Sequence, residues 1–371
     1  MKPETYTKDD AKISVIVGGL AYEGWLSSEV ERSLESIAGT FNIPVSLVPG
    51  LYPKINRQDA VQVKIGETTV IDGYVLSAEP FYRKNDCGLR IVGRDRAGDL
   101  VRCSAIHKGG QWRGAKLDAI VRDILKPFGL PLEVATDVGA AIADFKLAHG
   151  ETALDAIARA AKLRGVLATR SEVGGLSLTK AGTKRFEGAI VRGLNVIEMQ
   201  GIGTDEQRHR DYYVYGQSNT VADFERARGL KATANDSEMR RYLPLIINAD
   251  GNTTAAELKD LAQHTMRVRR GHSMGLRYTV EGWTWKGKAW PLNQRVAIYD
   301  DIAGLDGEQW LIASVKHTCD LKEGDVTELL MRPIEAYDTA PLKSKPVRRN
   351  WGNKGNTKNH GSGPNDKARG G

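Results

Sequence analysis

Gly271-His272-Ser273-Met274-Gly275 spells G-x-S-x-G, the pattern of the turn that lifts a nucleophilic serine out of a hydrolase sheet. That chemistry needs a strand before the serine and a helix after it, so that the hydroxyl stands at a helix N-terminus beside its oxyanion donors. Here the order is reversed. A helical pattern ends near Arg270 and a strand pattern opens at Leu276, so residues 271–275 are expected to form a plain helix-to-strand turn. The seven histidines, His107, His149, His209, His264, His272, His317 and His360, include no HExxH or HxxxH pair that would set two imidazoles on one helical face for a metal. Cys87, Cys103 and Cys319 are far apart and odd in number, which fits reduced thiols and argues against a disulfide framework or a zinc-binding CxxC pair. His107 follows Cys103 by four residues, but closeness in sequence does not make a nucleophile and its base.

Phosphate chemistry is no better supported. Gly201-Ile202-Gly203 leads into Thr204-Asp205-Glu206 without a third glycine, no Walker-type loop occurs, and Lys180–Lys184 (KAGTK) reads as a loop on strand ends. Arg267, Arg269 and Arg270 crowd the end of a predicted helix, where cations meet the partial negative charge of its C-terminus and need no further purpose. No two carboxylates stand out as an acid and base pair. The sequence predicts no catalytic residue, no cofactor and no metal site.

The elements that would have to position any such chemistry are easier to read. Ile13, Val15 and Val17 alternate with polar or small residues, and Gly18-Gly19 turns the chain toward Tyr22 and Trp25. Gln62–Ile65 and Val70–Tyr82 are again strand-like, break at Lys84-Asn85-Asp86, and return through Leu89, Ile91 and Gly93. Leu117, Ile120, Val121, Ile124, Leu125 and Phe128 then follow the spacing of one helical face, which Gly129 stops. A second helix is expected after a Thr152 cap, with Leu154, Ile157, Ala158 and Ala161 buried, and residues 165–180 read as a hairpin turning at Gly174-Gly175.

From about Ile190 strands resume at 212–215, 243–247, 276–283, 295–299, 310–315 and 326–331, interrupted by a helix that Thr254 and Glu257 open in capping-box spacing. The fold class is therefore α+β, mostly antiparallel β. The expected domains are a first β domain at 10–103, an α+β module at 104–190, a second β domain at 191–338 with a helix at 254–270, and a disordered basic tail at 339–371.

Composition agrees. With 371 residues and 41% hydrophobic side chains the chain can bury two or three cores. Neither a long apolar run nor a signal-peptide pattern is present, so the expectation is a protein made and folded in the cytosol. The formal charge of +7 suggests a nucleic-acid partner until its location is considered. From Leu342 onward eight basic residues stand against one acid, Asp366, so this apolar-poor tail carries the whole excess and the rest is neutral.

Several short words occur in an order that resembles the baseplate hub proteins of Mu-type contractile phage tails, a group that includes the late-control protein D family and the N-terminal hub of type VI secretion spikes. They are Gly24-Trp25 with VERSLESIAGTF (30–41), GRDRAGDL (93–100), GGQW (109–112), RGVL (164–167), and RYLPLIINAD (241–250) followed by VEGWTWKGKAWPLN (280–293). Their collinearity across residues 24–335 carries the resemblance. It implies two tail-tube-like β-barrel domains flanking the α+β module. The echo of Glu23-Gly24-Trp25 in Glu281-Gly282-Trp283 falls where such a duplication would place it.

The resemblance further implies a homotrimeric ring in the virion tail baseplate, assembled in the host cytoplasm. That ring would join the tail tube to the central spike, contact other baseplate proteins, and pass DNA transiently through its channel. Alternatives are the hub of a tailocin or type VI secretion-like spike, a tail-associated cell-wall hydrolase, and a nucleic-acid-binding protein acting through the basic tail.

Overall fold

The computed structural model describes residues 2–6, 11–23, 27–46, 54–84, 86–172, 174–217, 230–252, 254–320 and 324–339. Gly24 and Trp25 of the sequence echo, and residues 340–371 of the tail expected to be disordered, lie outside the described residues; Thr339, the first residue of that tail, donates to the Gly165 carbonyl at 2.8 Å.

Strands of the first β region form where apolar residues alternate. Ile13–Val17 buries Ile13, Val15 and Val17 and pairs antiparallel with Leu20–Tyr22 and with Ala60–Ile65. Gly18 and Gly19 both take positive φ, as a two-residue hairpin turn between right-twisted strands requires. The ladder continues through the long strand Thr68–Arg83 to Asp86–Asp95, then to Ser36–Ser46 and Ser28–Ser33. Ser36–Ser46 was not foreseen, because Gly39 and Pro44 interrupt its apolar pattern. Its Ile37, Phe41 and Ile43 are nevertheless buried.

The α+β module contains the helix Leu117–Leu125, tightened by a 3-10 turn at Lys126–Phe128 and ended by Gly129 at φ 62°. Of its six predicted apolar residues Leu117, Ile120, Val121, Ile124 and Leu125 are buried, and Phe128, in the 3-10 turn, is half-buried. Thr152 caps the helix Ala153–Lys162 by accepting the Asp155 N–H at 3.1 Å. That helix is rotated relative to expectation. Ala153, Ala156, Ile157, Ala160 and Ala161 are buried, whereas Leu154 is half-buried and Ala158 exposed, because the stripe of small residues allows closer packing than the leucine side. The expected hairpin is present as Leu167–Arg170 and Leu176–Thr179, extended by the parallel strand Leu132–Val134.

In the second β region the helix Ala255–Ser273 opens with the expected capping box at Thr254 and Glu257. It runs through Ser273, and the strand Met274–Glu281 begins at the next residue, so the turn expected at 271–275 does not exist. Arg332 supplies what a turn would have: its Nη1 donates to the carbonyls of His272 at 2.6 Å and Met274 at 3.1 Å.

The strand Leu305–Asp320 unites the molecule. Along one edge its first half pairs with Gln294–Asp300 and its second half, Ser314–Cys319, with Ser28–Ser33 of the first region. Along the other it pairs with Gly324–Arg332. The result is one continuous thirteen-stranded sheet. Among the described residues it closes into no barrel, so two separate barrels are not seen within one chain. A smaller sheet of Asp211–Gln217, Leu230–Asn235 and Pro244–Asn252 packs on the helix Ala255–Ser273 through Val214, Leu258 and Ala262.

Candidate functional site

Ser273, the serine of the hydrolase-like pattern, is buried at the last turn of its helix, and its Oγ donates to the Arg270 carbonyl at 2.7 Å. No helix N-terminus faces it. His272 packs edge-on against Tyr337 with ring centroids 5.3 Å apart, and burial followed by the nearby Arg332 holds its pKa below the ordinary value. His264 bonds the Asp338 carbonyl at 2.9 Å, and His107 stacks on Trp112 at 4.1 Å. The arginine cluster acts as struts: Arg267 pairs with Asp338 at 3.2 Å, Arg270 with Glu238, and Arg269 donates to the Gln207 carbonyl at 2.8 Å. Gly201 and Gly203 lie in the strand Val196–Gly203, and Lys180 offers its carbonyl to Asn293. Among the described residues no group of three or more His, Cys, Asp or Glu could hold a metal, and no helix is long and apolar enough to cross a membrane.

Buried polar chemistry is concentrated instead at two joints. The first lies within GRDRAGDL. Asp95 is 2% exposed, and its carboxylate accepts the N–H of Gly39 at 2.8 Å, the N–H of Asp72 at 3.2 Å and Nε of Arg170 at 3.0 Å. Arg170 also donates to the Val70 carbonyl at 2.9 Å, so one guanidinium ties the module hairpin to two strands of the first β region. The first glycine of this word is obligatory: a Cβ on Gly93 would lie 2.4 Å from the Tyr74 carbonyl oxygen and 2.5 Å from the Phe41 ring.

The second joint lies between the two β regions. Trp283 belongs by sequence to the second region, yet it is 5% exposed within the core of the first, beside Val30 and Phe41, and its Nε1 donates to the Thr318 carbonyl at 2.9 Å. Beside it Arg32, 4% exposed, donates through Nη2 to the Trp290 carbonyl at 2.7 Å and to His317 Nε2 at 3.2 Å. A guanidinium can only donate, which fixes Nε2 as an acceptor and leaves the proton on Nδ1. Nδ1 therefore donates to Thr327 Oγ1 at 3.1 Å, whose hydroxyl donates to the Gly282 carbonyl at 2.6 Å. Burial, and next the charge of Arg170, lower the Arg32 pKa to about 9; burial and then Arg32 push that of His317 well below the ordinary value. Tyr6 braces the outside by stacking on Trp285 at 5.4 Å and donating to the Glu281 carbonyl at 2.6 Å.

Two features face outward. The strand Val196–Gly203 ends the thirteen-stranded sheet, pairs on one edge only among the described residues, and buries none of its side chains fully. On the smaller sheet Tyr213, Thr233 and Ile246 are aligned across three strands, and Lys231 Nζ lies 4.4 Å from the Tyr213 ring centroid and 5.5 Å from that of Tyr215. A cleft of about 440 Å³ bounded by Thr68, Thr69, Arg185, Phe186 and Lys288 holds no nucleophile with a base; Lys288 is paired with Glu187.

These joints had no local signature. Asp95 and Arg170 are 75 residues apart, and Arg32 and His317 are 285 apart. The only sequence signal was indirect: the words 30–41, 93–100 and 280–293 supply Arg32, Asp95, Trp283 and Trp290.

Comparison with known proteins places these words in context. Residues 12–95 match the family described as Mu phage baseplate assembly protein GpP-like, N-terminal, and residues 97–180 match baseplate hub protein gp44-like, second domain. The chain is 30% identical over 351 residues to the baseplate hub protein gp44 of Escherichia phage Mu, covering 92% of each. The crystal structure of the 43 kDa tail protein of prophage MuSo2 from Shewanella oneidensis superposes with a TM-score of 0.79 at 32% identity, over 89% of this chain and 100% of that one. A tail protein from Neisseria meningitidis MC58 shares the fold, with a TM-score of 0.76 at 21% identity over 88% and 99% of the two chains.

Proposed function

The chain belongs to the family of Mu-type phage baseplate hub proteins, a structural and not an enzymatic family, and from that premise we propose that three copies form the ring joining tail tube to central spike. The observation that carries this reading is the unfinished sheet: Val196–Gly203 and Leu20–Tyr22 are terminal strands, and an open edge is a hazard unless something pairs with it or covers it. Neighbouring copies in a closed ring cover such edges without leaving a free one.

On this reading the β regions at 10–103 and 191–338 are the two tube-like barrel domains, completed by subunit contacts, and 104–190 is the module between them. The matched segments 12–95 and 97–180 divide near residue 96, a few residues before the first of these boundaries. The ring surrounds an axial channel for DNA, contacts the tube, the spike and other baseplate proteins, and is assembled in the host cytoplasm. Function then resides in shape. The joints at Asp95 and Trp283 hold three chain segments at fixed angles, so that the outward surfaces meet their neighbours in register.

Light scattering after size-exclusion chromatography tests the assembly. A mass of three chains is expected, alone or on addition of the spike protein. A monomer at high concentration that no partner alters would contradict it. Removing residues 342–371 is expected to leave three chains in the assembly. If the truncation also abolished a tight, salt-sensitive affinity for DNA, the tail would be a nucleic-acid-binding segment.

A further inference from the structure

We infer that the Arg32–His317–Thr327 relay is an acid release for the joint between the two β regions. His317 is fully buried at the centre of the only ladder that joins those regions among the described residues, in register with Val30 on one side and Thr327 on the other. Its Nε2 lone pair is occupied by a cation and its Nδ1 proton by a hydroxyl that is itself committed to Gly282. A second proton would have to sit on Nε2, where the Arg32 guanidinium already donates from 3.2 Å. Protonation therefore removes the hydrogen bond and leaves two buried cations in contact.

The surrounding charges do not offer relief. On the Ser28–Ser33 strand Glu29 is engaged by Lys316 at 3.2 Å, and on the Gly324–Arg332 strand Glu328 is engaged by Arg277 at 3.5 Å. Asp325, on the same face as Thr327, makes no bond to the imidazole, and the segment from Gly282 to Trp290 meets the relay through the carbonyls of Gly282 and Trp290. Behind Arg32 lie Arg170, held by Asp95, and the exposed Glu172. Asp95 and Glu172 act on Arg32, and no anion acts on the imidazole itself.

The joint must therefore open for His317 to take up a proton. Once open, the imidazole regains its ordinary pKa of about 6.5, and acid draws the population toward the open form. From pH 7 to pH 5 the opening constant rises roughly 25-fold, a window above the range in which carboxylates titrate. His272, whose pKa burial also lowers, packs against Tyr337 at the end of the long helix and reports on other amides.

Hydrogen exchange of the full chain, corrected for intrinsic rates, reads this directly at the amides of Ser28–Ser33 and Ser314–Cys319. Their protection is expected to fall roughly 25-fold between pH 7 and pH 5, while the amides of Leu117–Leu125 keep theirs. In His317→Gln, whose side-chain amide can accept from Arg32 and donate to Thr327 without titrating, the fall should be nearly absent. Unchanged joint protection in the wild-type chain, or an equal fall in the variant, would overturn the inference. Should His317→Gln not fold, the wild-type imidazole observed by NMR decides: it should stay neutral at pH 5 in the closed form. An imidazole titrating near pH 6.5 with no change in joint exchange refutes the release.

Discussion

Replacing Trp283 by alanine is expected to remove about 3–5 kcal/mol of unfolding free energy, the range for deleting a large buried aromatic side chain. The indole is a foreign body in the core it fills: it hangs from the second β region yet packs with Val30, Phe41 and Ile43 of the first. Its loss leaves a void that the rigid ladder between Ser28–Ser33 and Ser314–Cys319 prevents from collapsing, and it strips the Thr318 carbonyl of its donor. Urea unfolding followed by circular dichroism measures the effect. A loss below about 1 kcal/mol would mean that the tryptophan fills no essential space.

Asp95→Ala is expected to cost a comparable 3–5 kcal/mol for a different reason. Removing the carboxylate leaves Arg170, with 4% of its side chain exposed, as an uncompensated buried charge, and it orphans the N–H groups of Gly39 and Asp72. Much of the cost is the stranded arginine and not the lost attraction, since desolvation offsets most of what a buried ion pair contributes. The double variant Asp95→Ala with Arg170→Met should therefore be more stable than Asp95→Ala alone, although the two backbone donors keep it below the wild type. Equal or lower stability of the double variant would show that the pair itself, and not the stranded charge, dominates.

How much of this was legible depends on the range of each interaction. The helix at 117–125 was readable because Leu117, Ile120, Val121, Ile124 and Leu125 repeat within three turns, and Gly129 and the Thr254–Glu257 box mark ends by chemistry only three or four residues long. The second module helix misled because alanines carry little hydrophobic signal, so Leu154 outweighed the Ala153, Ala156, Ala160 stripe that packs inside. G-x-S-x-G matches by letters, while the helix precedes the strand, as the patterns on either side of it indicate. The place where that helix ends was not readable, because Arg332, some sixty residues on, completes its last carbonyls.

The joints were invisible for a deeper reason. No pattern within Leu305–Asp320 announces that its two halves serve different regions, since strand pairing is settled by the partner and not by the strand. Resemblance to a family gave the function first. The shared words supply Asp95 and Trp283, which tie the module and the second β region to the first.

The most direct test of the central claim, that this chain acts through its shape as one third of a tail ring, is its copy number in purified virion tails counted against the tail-tube protein. Three copies per tail are predicted. Absence from the tail, or any other number, would contradict the account.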